Sequence, residues 1–386
     1  MSAARRGPPH LDVDALLADR HTGIIVCCGA GGVGKTTTAA ALGLRAAEQG
    51  RRVVVLTIDP ARRLAQSLGL TELDNTPRPV EGFDPSGGGS LDAMMLDMKR
   101  TFDDVVLAHS TPGKAEQILA NPFYQAVSSS FAGTQEYMAM EKLGQLQHAA
   151  RDGAGPTWDL IVVDTPPSRS ALDFLDAPQR LGSFLDGRLI RLLTAPAKVG
   201  GRAYLKIFSA GVGVVTATMS KVLGGEMLRD VQTFVSALDT MFGGFRERAD
   251  ETYALLGQDS TAFLVVAAPE RDALREASFF VDRLEQDGMP LSGLVINRVQ
   301  RVSAPGLSAS RARAAAEQRA EEGDVLTSGL LQLHASLAET ADRQRRLAGR
   351  FTAGHPGTPV VEVPALAEDV HDVGGLREVG ASLAGR

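Results

Sequence analysis

The chain has 386 residues, of which 44% are hydrophobic and 22% charged, a composition that suits a globular protein with a sizeable buried core. Its net charge of −6 lacks the basic footprint of a general nucleic-acid binder, so no nucleic-acid partner is expected. The two cysteines, Cys27 and Cys28, are neighbours on an apolar run, where side chains point to opposite faces. They read as core packing in a reducing compartment rather than as a disulfide or metal pair.

The first twenty residues form a leading segment. Arg5 and Arg6 are followed by no apolar stretch, which is not a secretory pattern. The longest weakly polar run, Ile207 to Ser220, is too short to span a bilayer as a helix. The expected location is cytoplasmic, with any membrane association peripheral and made through a partner.

From residue 21 the chain alternates apolar runs with helical stretches. Gly23–Cys28 predicts a strand, and the stretch from Thr38 to Gln49 predicts a helix. Between them lies Gly29-Ala30-Gly31-Gly32-Val33-Gly34-Lys35-Thr36-Thr37, which fits the phosphate-loop pattern G-x-x-x-x-G-K-[ST] in the strand–loop–helix setting it requires. Glycines there let successive N–H groups converge on phosphate oxygens, and the helix N-terminus adds its positive dipole end. Lys35 would reach the β- and γ-phosphates, and the Thr36 hydroxyl would ligate Mg²⁺.

Further strands are predicted at Arg52–Asp59, Leu91–Asp97, Asp159–Asp164, Ala262–Ala267, Gly293–Asn297 and Pro359–Val363. Their continuous Val and Ile content suits strands buried on both faces. Gly82 to Ser90 reads as a flexible loop. Arg100–His148 reads as helices broken at Pro112-Gly113 and Asn121-Pro122, and Ser168–Leu256 has almost no strand signal. One exposed helix is expected around Leu330–Leu347. The fold class is therefore α/β: a doubly wound, mostly parallel sheet with a P-loop and a largely helical insertion. Residues 21–386 make one domain, with helical insertions at about 100–150 and 168–256.

In such folds ligands bind beyond the carboxyl ends of the strands, where Asp59, Asp97, Asp164 and Asn297 fall. Asp164 closes an apolar strand in the Walker B manner and would hold Mg²⁺ through a water, a role favoured over a helix N-cap. Asp59 would orient the water that attacks the γ-phosphorus, or would cap a helix begun by Pro60; spacing leaves these even. Asn297 and Glu270 read, on their own, as a strand-end turn residue and a solvated acid in a helix's first turn.

Taken together, these motifs resemble the ATPases of the arsenite-pump and guided-entry family, among the deviant Walker A proteins that include MinD and ParA. The resemblance rests on Gly29–Thr37, Thr57-Ile58-Asp59-Pro60-Ala61, Val163-Asp164-Thr165-Pro166-Pro167, Ala268-Pro269-Glu270, Val295-Ile296-Asn297 and Val361-Glu362-Val363-Pro364 with Glu368-Asp369-Val370. It implies an ATP hydrolase in which Asp59 activates water from switch I and Asp164 serves the metal from switch II. It also implies that Asn297 contacts adenine, that the loop from Pro364 lines the base pocket, and that Glu270 approaches nucleotide across a dimer interface.

The chain departs from the family in three places. The family has lysine after the first glycine of the loop, and Ala30 stands there. Switch II continues Pro166-Pro167-Ser168-Arg169, where Arg169 is a candidate compensating charge. Zinc-type C-x-x-C and arsenite-binding cysteines are absent from the sequence, so no zinc is expected. In the family, the helical insertion builds a groove for a hydrophobic client. Phe208, Met219, Val222, Met227, Phe234, Met241 and Phe242 would supply that surface, or would only pack the insertion on itself. The resulting expectation is an ATP- and Mg²⁺-using ATPase that switches a dimer and handles a protein client or a membrane partner. Ala30 points to a paralogous subunit in a heterodimer, with self-association the alternative. The alternative is a nucleotide-binding regulatory or scaffold subunit with negligible turnover. A MinD-like membrane role would need an amphipathic basic tail, which Gly374–Arg386 does not supply.

Overall fold

A computed structural model describes residues 8–166 and 247–385, apart from 59–62, 71–72, 84, 123, 126–127, 129–133 and 153–157. The apolar runs form strands because their side chains fill both faces of a sheet. β1 (Ile24–Cys28) is buried along its whole length, as are β5 (Leu160–Asp164) and β6 (Thr261–Ala267). With β2 (Arg52–Thr57), β3 (Arg78–Pro79), β4 (Ser90–Met95), β7 (Leu291–Val299) and β8 (Val360–Pro364) they make one sheet in the order β3-β4-β2-β5-β1-β6-β7-β8. Every pairing is parallel except β3 with β4. Parallel neighbours need crossover connections, and helices on the faces supply them.

α1 (Val13–Ala18) and α2 (Lys35–Glu48) lie in the same core as one face of the sheet. Leu11, Val13 and Leu17 are buried there, so residues 8–20, read from the sequence as a leading segment, are packed structure. The chain divides into two compact units. The first, Met1–Met95, Gly155–Ala171 and Leu256–Arg386, contains the whole sheet. The second is Leu96–Ala154 with Leu172–Leu255. Its described part is helical: α4 (Met98–His109), α5 (Pro112–Leu119), α6 (Thr134–Asp152) and a helical stretch at 247–255, after α3 (Arg63–Ser67) in the first unit. The breaks at Pro112 and Asn121 occur as expected, with Asn121 Oδ1 accepting from the Tyr124 amide at 3.1 Å. The apolar periodicity read at 227–242 lies outside the described residues.

Four local expectations change. The loop at 82–90 is not loose: its 3₁₀ turn, Pro85–Gly87, precedes Gly89, whose absent Cβ would lie 2.1 Å from the Ala47 carbonyl oxygen at the end of α2. The glycine is there for close approach, not for flexibility. After α7 (Arg271–Gln286), the alanine-rich region holds two helices, α8 (Ala309–Glu321) and α9 (Val325–Gly354), where one was expected. α8 has no apolar stripe, but alanine favours helix strongly, and Ser308 and Asp324 cap the two N-termini. The C-terminal residues do form a helix, α10 (Val373–Leu383), despite their glycines. Its apolar side chains Leu376, Val379 and Leu383 are buried in the core around α2 rather than offered to a membrane. The short antiparallel β3 is exposed and gave no periodic signal.

Adding a methyl at position 89 should force backbone against backbone. Gly89→Ala is expected to lower unfolding free energy by about 1–3 kcal/mol, read from a urea melt.

Candidate nucleotide site

The period of a β-strand sets the site. On three strands every second residue faces α2: Val53 and Val55 then Thr57, Leu160 and Val162 then Asp164, and Val295 then Asn297. Each series ends at the carboxyl edge of the sheet with a polar side chain on the α2 side. β1, between β5 and β6, delivers the phosphate loop to the same edge.

The loop can sit so close to the sheet only because of its glycines. Gly29 has φ 148°, and a Cβ there would lie 2.1 Å from the Val266 carbonyl oxygen. Gly34 has φ 96° and is the N-cap of α2; a Cβ there would lie 2.2 Å from Asn297 Nδ2. As glycine, it offers no side chain to the first-turn N–H groups of Lys35, Thr36 and Thr37, which suits them to an anion. Gly31 and Gly32 are exposed, whereas Ala30 and Val33 are buried in the core.

Asp164 is fully buried, and its Oδ2 accepts hydrogen bonds from the Thr36 hydroxyl at 2.7 Å and the Thr57 hydroxyl at 2.8 Å. Thr165 Oγ1 donates to the Cys27 carbonyl at 2.9 Å, tying the residue after Asp164 to β1. The Lys35 ammonium is buried and donates to the Ala30 carbonyl at 2.8 Å. Asn297 Nδ2 donates to the Val33 carbonyl at 2.8 Å. A threonine hydroxyl beside a carboxylate is a set of hard oxygen donors, which suits Mg²⁺. Among the described residues no cluster of three or more His, Cys, Asp or Glu side chains could hold a metal. Mg²⁺ needs none, since it is bound through one or two protein oxygens, water and substrate phosphate. The residues present therefore fit it.

The structure brings together Gly29, Ala30, Gly31, Gly32, Val33, Gly34, Lys35, Thr36, Thr37, Asp164 and Asn297. Asp97 is not among them. β4 ends at Met95, and Asp97 belongs to the second unit, where its Oδ1 caps α4 by accepting from the Arg100 amide at 2.9 Å. Glu270 is the exposed N-cap residue of α7, and its side chain makes no capping bond. Pro364 is half-buried at the end of β8, and the Ala365 amide following it donates to the Val299 carbonyl at 3.0 Å. Asp59, Arg169 and the expected client residues Phe208, Met219, Val222, Met227, Phe234, Met241 and Phe242 lie outside the described residues. A cavity of about 410 Å³ beside β7 is lined by Pro269, Ile296, Arg301, Arg345 and Glu362 among others. It opens on the opposite face, as the alternation of Ile296 with Asn297 requires, and includes none of the loop.

Thr57 and Arg298 were given no role from the sequence. Thr57 had a signal as a hydroxyl near the carboxyl end of a predicted strand, two residues before Asp59. Arg298 had none.

Residues 22–320 match the anion-transporting ATPase family, ArsA. The chain belongs to that family. It is 26% identical over 271 residues to the ATPase ASNA1 homolog of Cryptosporidium parvum, covering 70% of this chain and 63% of that protein. It is 25% identical over 279 residues to ATPase GET3 of Malassezia globosa, covering 71% and 72%. It is 27% identical over 285 residues to ATPase ARSA2 of Chlamydomonas reinhardtii, covering 70% and 66%. The chain thus spans less than two thirds of the length of two of these three relatives.

Burial raises both thiols flanking the loop: Cys28 is pushed up to about 12, and Cys27 well above its ordinary value by burial and then by the nearby Asp164. Both thiols therefore stay protonated at neutral pH and are poor nucleophiles. Native protein at pH 8 should resist iodoacetamide, and labelling should appear only as urea unfolds the sheet.

Proposed function

We propose that the chain is a Mg²⁺-dependent ATP hydrolase whose nucleotide cycle switches a dimer. The observation that carries this reading is the buried Asp164 carboxylate held between the Thr36 and Thr57 hydroxyls directly beneath the phosphate loop. A carboxylate there would serve Mg²⁺ beside bound phosphates, and the chain is a member of an ATPase family.

The chemistry is attack of water on the γ-phosphorus, with the bond to the β-phosphate oxygen breaking to leave ADP and phosphate. Such transfer has little covalent work for protein to do; positioning and charge stabilisation dominate. Loop N–H groups and the start of α2 would hold the β-phosphate, and Asn297 and the loop from Pro364 the base. Lys35, folded onto the Ala30 carbonyl in the absence of nucleotide, would exchange that oxygen for phosphate oxygens. Bound Mg²⁺ would neutralise charge on the β- and γ-phosphate oxygens, with Thr36 as ligand and Asp164 behind a water. Asp59, by the family resemblance, would orient the attacking water.

The Ala30 side chain is only a buried methyl group. A symmetric dimer of this chain would therefore lack a cation at that position of both loops. This supports one half of a heterodimer, with a lysine-bearing paralogue supplying charge in trans. The client or membrane partner would be handled by the helical insertion, and Glu270, exposed on α7, would face the neighbouring subunit. The chain would work in the cytoplasm and reach membranes only through a partner; no described helix is long and apolar enough to cross one.

Single-turnover hydrolysis of ATP tests the enzyme reading. Asp59→Asn should bind ATP yet hydrolyse it about 100-fold or more slowly, and Lys35→Ala should lose a similar factor. Equal, negligible rates in wild type and Asp59→Asn, with and without co-purified partners, would favour a regulatory subunit. Sedimentation of the purified chain tests the assembly: symmetric dimers with full, cooperative activity would defeat the heterodimer.

A further inference from the structure

Two consecutive side chains at the end of β7 grip the phosphate loop from outside. Asn297 Nδ2 donates to the Val33 carbonyl at 2.8 Å, and Arg298 Nη1 donates to the Gly32 carbonyl at 3.1 Å. In a regular strand neighbouring side chains point to opposite faces, so both could not reach the same loop. Here the pairing of β7 with β8 shifts register between Ile296 and Val299. Arg298 takes φ 62° and is the one non-glycine residue with positive φ among those described. That backbone state is unfavourable for a side chain with a Cβ and persists where surrounding structure enforces it. The irregularity is what turns Arg298 onto the loop beside Asn297.

The grip has a consequence for the loop's donors. No described peptide bond is cis, and in a trans peptide the carbonyl and the N–H point in opposite directions. The Gly32 carbonyl shares its peptide unit with the Val33 N–H, and the Val33 carbonyl shares its unit with the Gly34 N–H. Fastening both carbonyls on the β7 side turns those two N–H groups to the other side. A run of N–H groups directed into the hollow of such a loop is what binds phosphate.

We propose that Arg298 is a positioning residue which, with Asn297, aims the Val33 and Gly34 N–H groups at the phosphates of the bound nucleotide. This rests on the nucleotide site proposed above. Its contribution should be to phosphate affinity and not to the base or to folding. The guanidinium, being cationic, makes a stronger bond to a carbonyl than a neutral donor would.

Titration of the full chain with ADP and with adenosine tests it, using Arg298→Ala, Arg298→Gly and Arg298→Lys. Glycine tolerates φ 62°, so Arg298→Gly removes the tether while relieving the backbone, and it should melt no lower than wild type. ADP affinity should fall about tenfold in the Ala and Gly variants and recover most of that loss in the Lys variant. Adenosine affinity should not change. ADP affinity equal to wild type in Arg298→Gly would overturn the proposal, as would equal losses for ADP and adenosine. Wild-type protein that binds no ADP at all would instead overturn the nucleotide site, and this inference with it.

Discussion

The site depends on one buried carboxylate. Asp164 has no solvent exposure, and removing a carboxylate from water costs several kcal/mol unless hydrogen bonds replace those lost. Two hydroxyls do so, and they come from different elements: Thr36 from the first turn of α2 and Thr57 from the end of β2. One oxygen atom thus joins β5, β2 and the phosphate loop's helix at the carboxyl edge of the sheet. A metal or phosphate arriving there would have to re-divide those hydrogen bonds, which couples occupancy to the ends of β2 and β5. Those ends lead into the segments that, by the family resemblance, would act as switches.

The loop itself is held by complementary close approaches. Gly29 lies against the Val266 carbonyl of β6, and Gly34 against the Asn297 amide of β7. A side chain at Gly29 would drive into the β6 backbone and push the loop off the sheet, and one at Gly34 would displace the Asn297 amide from the Val33 carbonyl, so contact adds to φ at both. Lys35 is meanwhile retained by the Ala30 carbonyl, a neutral acceptor that polyanionic phosphate would outcompete. Empty and loaded forms of the loop can therefore differ mainly in where one ammonium group points.

Much of this was legible in the chain. The phosphate loop, the seven principal strands and Asp164 could be read because each obeys a short-range rule: a glycine pattern, a continuous apolar run, an acid closing such a run. What was not legible depends on tertiary detail. Arg298 reaches the loop only through a register shift between β7 and β8, and no sequence period encodes that shift. The glycine-rich stretch before β4 was read as loose because its composition matches a linker, but Gly89 is pressed on α2. Asp97 shared the strand-end spacing of Asp164, yet β4 stopped two residues short and the acid caps a helix instead. Alanine-rich α8 lacked the apolar stripe by which helices are recognised, although its intrinsic propensity sufficed. The C-terminal glycines of α10 hid a helix that is stabilised by packing on α2 rather than by propensity.

The most direct measurement of the central claim is hydrogen exchange at individual amides of residues 29–37, with and without ATP and Mg²⁺. These loop amides, together with those at the start of α2, should become strongly protected when ATP is added. Protection should depend on Mg²⁺ more at Thr36 than at Gly29. Loop amides that exchange at the same rate while ATP is demonstrably bound would contradict the central claim, because the nucleotide would then be held elsewhere.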